Sequence, residues 1–295
     1  MDGEHRDEAF VTRWVRRGRY RIHARDYPGP GPAVVLLHGF PDDLHLYDRL
    51  VPHLVGTRRV VAFDFLGWGA SDKPDRYAYT AHNQTGDLDE VLTQLDLDRV
   101  ALVAHDASGP PAIDWAISNP TRVAALVLLN TYYALTPRLR RPPAIALYST
   151  PGVRAVARAV ARRFEQLDRS LYYWQVGRFI TDDALRRELL PAFYARFRSA
   201  RPAFWELNDD LLRTVLSRRR HLSRLRRFPK PVRVVFGADD RYLNTDVARW
   251  FSRQFPRSDL HLLPNARHYV QVDRPLEVSR LVLSAHAPDQ PTVQT

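Results

Sequence analysis

From Val100 to Gly109 the chain reads Val-Ala-Leu-Val-Ala-His-Asp-Ala-Ser-Gly, an apolar, β-rich run that ends in small residues around a carboxylate. A strand that feeds a helix through a very tight turn needs small residues two before and two after the tip, because larger side chains collide there. Ala104 and Ser108 meet that need around Asp106. In nucleophile turns of the Gly-x-Ser-x-Gly type the tip side chain stands clear of the sheet, beside backbone N–H groups. A serine at the tip needs a base to take its proton, whereas an Asp, with an ordinary pKa of about 3.9, is already ionised at neutral pH. Such a carboxylate can displace a leaving group from an sp3 carbon. A register with Ser108 at the tip would put Asp106 and Pro110 at the small positions, which is sterically worse. Asp is also a favoured helix N-cap, so the turn alone leaves that plainer role open.

Three further segments add to the turn. Ala33-Val-Val-Leu-Leu-His38-Gly39-Phe40-Pro41 is a buried-type strand running into a His-Gly turn. A backbone N–H after such a turn, here that of Phe40, can join the N–H of Ala107 to hold an oxyanion. Val232-Arg-Val-Val-Phe236-Gly237-Ala238-Asp239-Asp240 is again a strand that ends in Gly and acid. Leu260 to Leu263 is a short strand followed by His268 in a loop. The chain order is therefore nucleophile, acid, histidine, as in a hydrolase triad.

On these residues the chain resembles the α/β-hydrolase superfamily, in its branch of epoxide hydrolases and haloalkane dehalogenases. The resemblance runs from about Trp14 to Ala285. It is carried by His38-Gly39-Phe40-Pro41, by Asp64-Phe-Leu-Gly67-Trp68-Gly69-Ala-Ser71-Asp72-Lys73-Pro74, by the Asp106 turn, by Asp240, and by His268-Tyr269-Val-Gln271-Val-Asp273-Arg-Pro275. The implied fold is a mostly parallel sheet flanked by helices, with an inserted helical cap.

Composition agrees with one catalytic domain and an insertion. A chain of 295 residues, 45% of them hydrophobic, can build a large core. With no Cys, disulfides, thiol catalysis and Cys-based zinc sites are excluded. The start, Met1-Asp-Gly-Glu-His-Arg, lacks an apolar leader core, and no stretch reaches the roughly 18 apolar residues of a membrane span. A soluble cytoplasmic enzyme is the expectation. The net charge of +11 invites a polyanion partner, and it gathers at Arg138 to Arg141, Arg154 to Arg163 and Arg218 to Arg227. No phosphate loop or aromatic RNA-binding motif accompanies these clusters, so they are read as solvated helical faces, with a basic entrance for an anionic substrate as the alternative. Neither nucleic acid nor a membrane is expected as partner, and a homodimer is left open.

Alternating segments at Arg13–Arg17 and Tyr20–Ala24 read as an antiparallel hairpin. Continuous apolar runs follow at 34–37, 60–63, 100–103, 124–129, 232–236 and 260–263. Separated by helical patterns such as 80–95, they indicate parallel strands covered on both faces. Residues 1–130 and 229–295 are assigned to the core and 131–228 to the cap; the tail from Pro288 is polar and read as loose. In the cap the strand signal gives way to helical patterns at 153–164, 182–197 and 201–216, punctuated by Pro137, Pro142, Pro143, Pro151 and Pro191.

The resemblance implies that the cap closes an apolar pocket over Asp106. Its aromatic residues, among them Tyr132, Tyr133, Tyr148, Trp174 and Trp205, are mostly packing, with Trp174 and Trp205 as pocket candidates. Leu171-Tyr172-Tyr173-Trp174-Gln175 is similar to the cap segment where epoxide hydrolases place a tyrosine whose phenol donates to the epoxide oxygen. The implied donor is Tyr173, with Tyr172 the candidate if the register slips. The usual second tyrosine has no clear counterpart, since that later segment reads Arg201-Pro-Ala-Phe204-Trp205. Haloalkane dehalogenases generally clamp the departing halide with a Trp directly after the nucleophile and an Asn or second Trp; Ala107 and Phe40 hold those positions here. The arginines that fluoroacetate-type enzymes carry after the turn are replaced by Ala107 and Pro110.

The remaining polar positions have plainer roles. Asn130 lies where some dehalogenases keep the triad acid, so the acid is assigned to Asp240, and Asp239 to solvent or a cap. His105 is expected to be a hydrogen-bonded core residue, His38 a brace of the oxyanion turn, His261 a strand residue without a partner, and Asp64 and Asp72 loop fixers. None of them spells a metal site, and no cofactor is called for. The expected chemistry is attack by Asp106 on a small, largely apolar electrophile, then hydrolysis of the alkyl-enzyme ester by water activated by His268 and Asp240. Epoxide hydrolysis to a vicinal diol leads; haloalkane dehalogenation is the alternative, and an ester or lactone hydrolase or a non-catalytic binding protein comes after it.

Overall fold

A computed structural model describes residues 10–136 and 138–285. The start, Pro137 and the tail from Pro288 lie outside the described residues.

Eight strands form one sheet: β1 (Val11–Arg17), β2 (Tyr20–Tyr27), β3 (Ala33–Leu37), β4 (Val60–Phe63), β5 (Val100–Asp106), β6 (Val123–Thr131), β7 (Val232–Gly237) and β8 (Ser258–Leu263). The helices are α1 (Ala81–Gln94), α2 (Gly109–Ser118), α3 (Pro143–Ser149), α4 (Val153–Arg163), α5 (Glu165–Val176), α6 (Asp183–Ser217), α7 (Leu222–Leu225), α8 (Thr245–Ser252), α9 (Val270–Asp273) and α10 (Pro275–Ser284). Spatial order is β1-β2-β4-β3-β5-β6-β7-β8, with β1, β2 and β4 paired antiparallel and β4 onward parallel. Strands β3, β4, β5 and β6 are buried along their whole length. That explains why their sequences are continuous apolar runs and not alternations: helices cover both faces.

The order reverses at β3. The chain steps from β3 outward to β4 and then crosses back to β5 on the other side. At such a switch point the loops beyond the carboxyl ends of adjacent strands diverge and open a crevice. Phe40 follows β3 and Asp106 ends β5, so both flank it.

Between β6 and β7 the chain forms helices α3 to α7 with no strand among the described residues. One expectation is corrected here. The patterns at 182–197 and 201–216 are a single helix, α6, with Pro191 and Pro202 inside it. Proline in a helix interior costs about 3 kcal/mol. The buried face of Leu190, Phe193, Phe197, Ala200, Phe204 and Leu207 runs past both prolines and offsets that cost. Helices α3 and α5 were not among the expected cap helices. No helix of the described residues is long and apolar enough to cross a membrane.

Candidate active site

Asp106 sits at φ 48°, in the left-handed region that costs a non-glycine residue about 1–2 kcal/mol. Its surroundings hold it there. Gly39 has no room for a side chain, since a Cβ would lie 2.6 Å from the Asp106 Cβ. Ser108 is fully buried; its hydroxyl donates to the Leu37 carbonyl at 2.8 Å and accepts from the His105 N–H at 2.9 Å. That hydroxyl ties β3 to the turn and is not available as a nucleophile. The Thr131 hydroxyl donates to the Asp106 carbonyl. The Asp106 carboxylate accepts from the backbone N–H groups of Ala107 and Phe40, while helix α2 has Ser108 at its N-cap with no side-chain cap bond. The plain capping role for Asp106 is therefore not the one it adopts.

Asp240 is buried and Asp239 exposed. Asp240 accepts from His268 Nδ1 at 2.8 Å, from Asn130 Nδ2 at 2.8 Å, and from the N–H groups of Tyr242 and Leu243 at 2.8 and 3.2 Å. Burial alone would raise its pKa, but the His268 charge and these donors outweigh burial and hold it below the ordinary value. Asn130 reaches Asp240 because it is skipped in the pairing of β6 with β5: Leu129 faces His105 and Thr131 faces Asp106. Such a bulge redirects one side chain out of the ladder. Asn130 adopts φ 30° there, and its Oδ1 accepts from the Gly237 N–H at 2.8 Å.

His268 Nε2 lies 3.8 Å from Asp106 Oδ1, too far for a hydrogen bond. The Asp106 carboxylate thus meets backbone N–H groups, and the imidazole faces it across a gap. Burial would lower the His268 pKa; the carboxylates of Asp240 and Asp106 outweigh it and raise the value. For Asp106, burial dominates and lifts the pKa to about 6, against the His268 charge and the two N–H donors.

The other histidines take supporting places. His105 is buried with its Nε2 3.1 Å from the His268 carbonyl, and burial holds it neutral. His38 lies 2.7 Å from the Gly39 carbonyl through Nδ1 and accepts from the Phe65 N–H at 3.2 Å. Contrary to expectation His261 has a partner, Asp259 at 2.9 Å, because residues two apart on one strand share a face. Asp64 accepts from Leu44 and Ala70 N–H groups at 2.9 Å each, and Asp72 from the Arg21 N–H at 2.8 Å, as loop fixers do. Among the described residues no group of acids and histidines could hold a metal ion.

A cavity of about 590 Å³ opens over Asp106 and His268, lined chiefly by apolar and aromatic side chains of the insertion. Tyr172 and Tyr132 line it; Tyr173, Trp174 and Trp205 do not. Successive helical residues point about 100° apart, so with Tyr172 facing inward Tyr173 falls to the side and Trp174 on the far face. Tyr173 and Trp174 border a separate depression with Arg178, Arg186, Arg241 and Arg267. Trp205 is buried beneath Arg158 and Arg162. The Tyr172 hydroxyl is buried without a hydrogen-bond partner.

Sequence reasoning passed over Asp42. The Tyr269 hydroxyl donates to its Oδ1 at 2.6 Å, its Oδ2 has no partner, and burial lifts its pKa to about 7. Asp42 lies outside the cavity lining but within electrostatic reach of Asp106 and His268, and its signal was its place two residues after Phe40.

A family model described as "alpha/beta hydrolase fold" matches residues 32–275. Haloalkane dehalogenase 2 of Mycobacterium bovis is 29% identical over 283 residues, covering 93% of this chain and 94% of that one. The fluoroacetate dehalogenase of a Burkholderia species is 37% identical over 127 residues, 42% of this chain and 41% of that one. Among solved structures, the haloalkane dehalogenase DatA from Agrobacterium tumefaciens C58 superposes with a TM-score of 0.80 at 23% identity, covering 95% of this chain and 98% of that one. With a switch-point crevice, a strained turn at the end of β5 and a family match across most of its length, this chain is an enzyme that belongs to the α/β-hydrolase fold family.

Proposed function

We propose that the protein hydrolyses an uncharged, apolar electrophile through a covalent ester on Asp106, and that the electrophile is an epoxide. The observation that carries the first half is the Asp106 carboxylate held by the N–H groups of Phe40 and Ala107 and faced by His268. One carboxylate oxygen attacks the sp3 carbon and the carbon–oxygen bond of the ring breaks. The opened oxygen takes a proton from a phenol in the cavity wall. Tyr172 is the donor in this reading, since its hydroxyl is buried, unpartnered and part of that wall. Donation of this kind is worth about 10²–10⁴-fold.

Esterification removes the negative charge of Asp106, one of the influences that raise the His268 pKa. The imidazole is thereby released to act as base on a water that attacks the ester carbonyl. Asp240, fixed by Asn130 and two N–H groups, stabilises the imidazolium that forms. The carbonyl oxygen gathers charge opposite Phe40 and Ala107 N–H, where a donor is worth about 3–4 kcal/mol. The ester bond then breaks, the His268 imidazolium gives its proton to the leaving oxygen to release a vicinal diol, and the regenerated Asp106 carboxyl returns a proton to the Tyr172 phenolate.

A second reading, haloalkane dehalogenation, is favoured by the name of the relatives matched along the chain. Against it, Phe40 and Ala107 supply no side-chain donor to a halide. His268→Gln, exposed separately to panels of epoxides and alkyl halides and weighed intact, decides between them. An adduct equal to the whole epoxide, mapped to Asp106, is the expected result. An adduct equal to the alkyl group without halogen would move the assignment to the second reading, and no adduct on Asp106 from either panel would overturn both.

A further inference from the structure

Tyr173 and Trp174 border the separate depression, of about 440 Å³, that four arginines line. The insertion supplies Arg178 and Arg186, and the loops after β7 and β8 supply Arg241 and Arg267. Arg241 directly follows Asp240 in the chain and Arg267 directly precedes His268. The depression therefore lies across the seam between insertion and core, fixed by the same strand ends that carry the acid and the imidazole. Its lining contains no acid. Arg186 is paired with Asp183, whereas Arg178, Arg241 and Arg267 have no ion-pair partner among the described residues. Asp273 accepts from the Arg267 backbone N–H and from Thr181, and does not pair with the Arg267 guanidinium.

These side chains are held in place. Arg178 lies over the Trp174 ring at 3.9 Å and donates to the Trp174 carbonyl. Arg186 donates to the Gly177 carbonyl at 3.3 Å and Arg267 to the Ile180 carbonyl at 3.2 Å. The bare Cα of Gly177 lets Arg186 close in, since a Cβ there would come within 3.1 Å of the Arg186 Cδ. Capping the carbonyls that follow α5 uses one N–H of each guanidinium, which has five. The Arg241 guanidinium donates to no protein group among the described residues. Like charges gathered in this way repel one another, and an anion seated between them removes that repulsion. The guanidinium fork matches phosphate oxygens two at a time. Three unpaired positive charges exceed the roughly −1.5 to −2 of one phosphate ester at pH 7 and suit two linked phosphates. Trp174, 44% exposed at the rim, offers aromatic surface to an organic group attached to them.

We propose that this seam is a binding site for a diphosphate group, held by Arg178 of the insertion and by Arg241 and Arg267 of the core, so that the bound anion ties insertion and core together. The site is independent of the chemistry at Asp106.

The test is isothermal titration calorimetry of the full chain with inorganic phosphate, inorganic pyrophosphate and ADP. Pyrophosphate is expected to bind saturably at one site, at least about tenfold more tightly than phosphate, and to raise the melting temperature at saturation. Arg241→Glu should weaken pyrophosphate binding by at least about tenfold; the position is exposed, so the fold should persist, as circular dichroism will check. Arg219→Glu makes the same charge change at an exposed arginine outside the depression and should bind within about twofold of the parent. ADP binding more tightly than pyrophosphate, with the gain lost in Trp174→Ala, would add the aromatic rim to the site; ADP binding no more tightly would confine recognition to the diphosphate. Absence of saturable pyrophosphate binding, phosphate bound as tightly as pyrophosphate, or equal loss in Arg241→Glu and Arg219→Glu overturns the proposal.

Discussion

In the sheet every side chain from Val34 to Leu37 and from Val100 to Val103 is buried, whereas in the helical insertion Val156 stands in solvent while Asp168 and Arg218 are buried with partners. The sheet follows simple partition of apolar from polar. The insertion is organised by ion pairs and aromatic contacts across helices, with Asp168 accepting from Tyr148 and Tyr194 at 3.0 and 3.1 Å and Arg201 beside it. Groups fixed at strand ends are therefore placed by the fold itself. Groups on the insertion are placed by helix phase, where one residue is about 100°.

The sharpest test of that contrast lies on the sheet side. Asp106→Ala should lower kcat by about 10⁴-fold or more, as loss of a nucleophile does; retention of full turnover would remove the site from the sheet altogether. On the insertion side, Tyr172→Phe should lower kcat for an epoxide about 10²-fold, and Tyr173→Phe should leave it within about twofold of the parent. The reverse order would show that helix phase has been misjudged. Asn130→Ala should cost about tenfold in kcat with KM little changed, because it frees a positioned acid, and about 1–3 kcal/mol of stability from the unpaired groups it leaves. Denaturant titration beside steady-state kinetics separates the two.

Acidity tests the sheet end in another way. Asp106 must be ionised to attack, so kcat/KM should fall as pH drops through about 6. The same raised pKa works against folding. The cost is absent below the unfolded value near 4, builds as pH rises to about 6 and stays constant above. Asp106→Asn should thus melt higher than the parent at pH 8, with a smaller gain at pH 4; a variant that melts lower at pH 8 would show that the carboxylate is not held against its preference.

The strands, the position of Asp106 and the Phe40 and Ala107 N–H groups were legible because Gly or small residues stand at the ends of β3 and β5, and Asp240 and His268 were read from their place in the chain after β7 and β8. Asp240 was separable from Asp239 by register alone. Tyr172 was not separable from Tyr173, since both belong to one apolar helical stretch and only packing against Phe197 and Tyr194 fixes which turns inward. The two prolines of α6 suggested breaks because local cost is visible in sequence and the compensating long-range burial is not. In α4 the inward turn of Arg154 and Arg158 toward Asp209, with Val153, Val156 and Val160 left exposed, was hidden for a similar reason, since Asp209 is far along the chain.

Asn130 and Thr131 are neighbours on β6, yet one grips the Asp240 carboxylate and the other the backbone of Asp106. In the proposed mechanism the first chemical step depends on one of those acids and the second on the other. A single strand end thus serves as a common mount for both: when thermal motion shifts it, the attacking and the assisting carboxylate travel together, and the spacing between them is preserved while their position in the molecule is not. Alignment between the two half-reactions is built into the chain as a two-residue bracket.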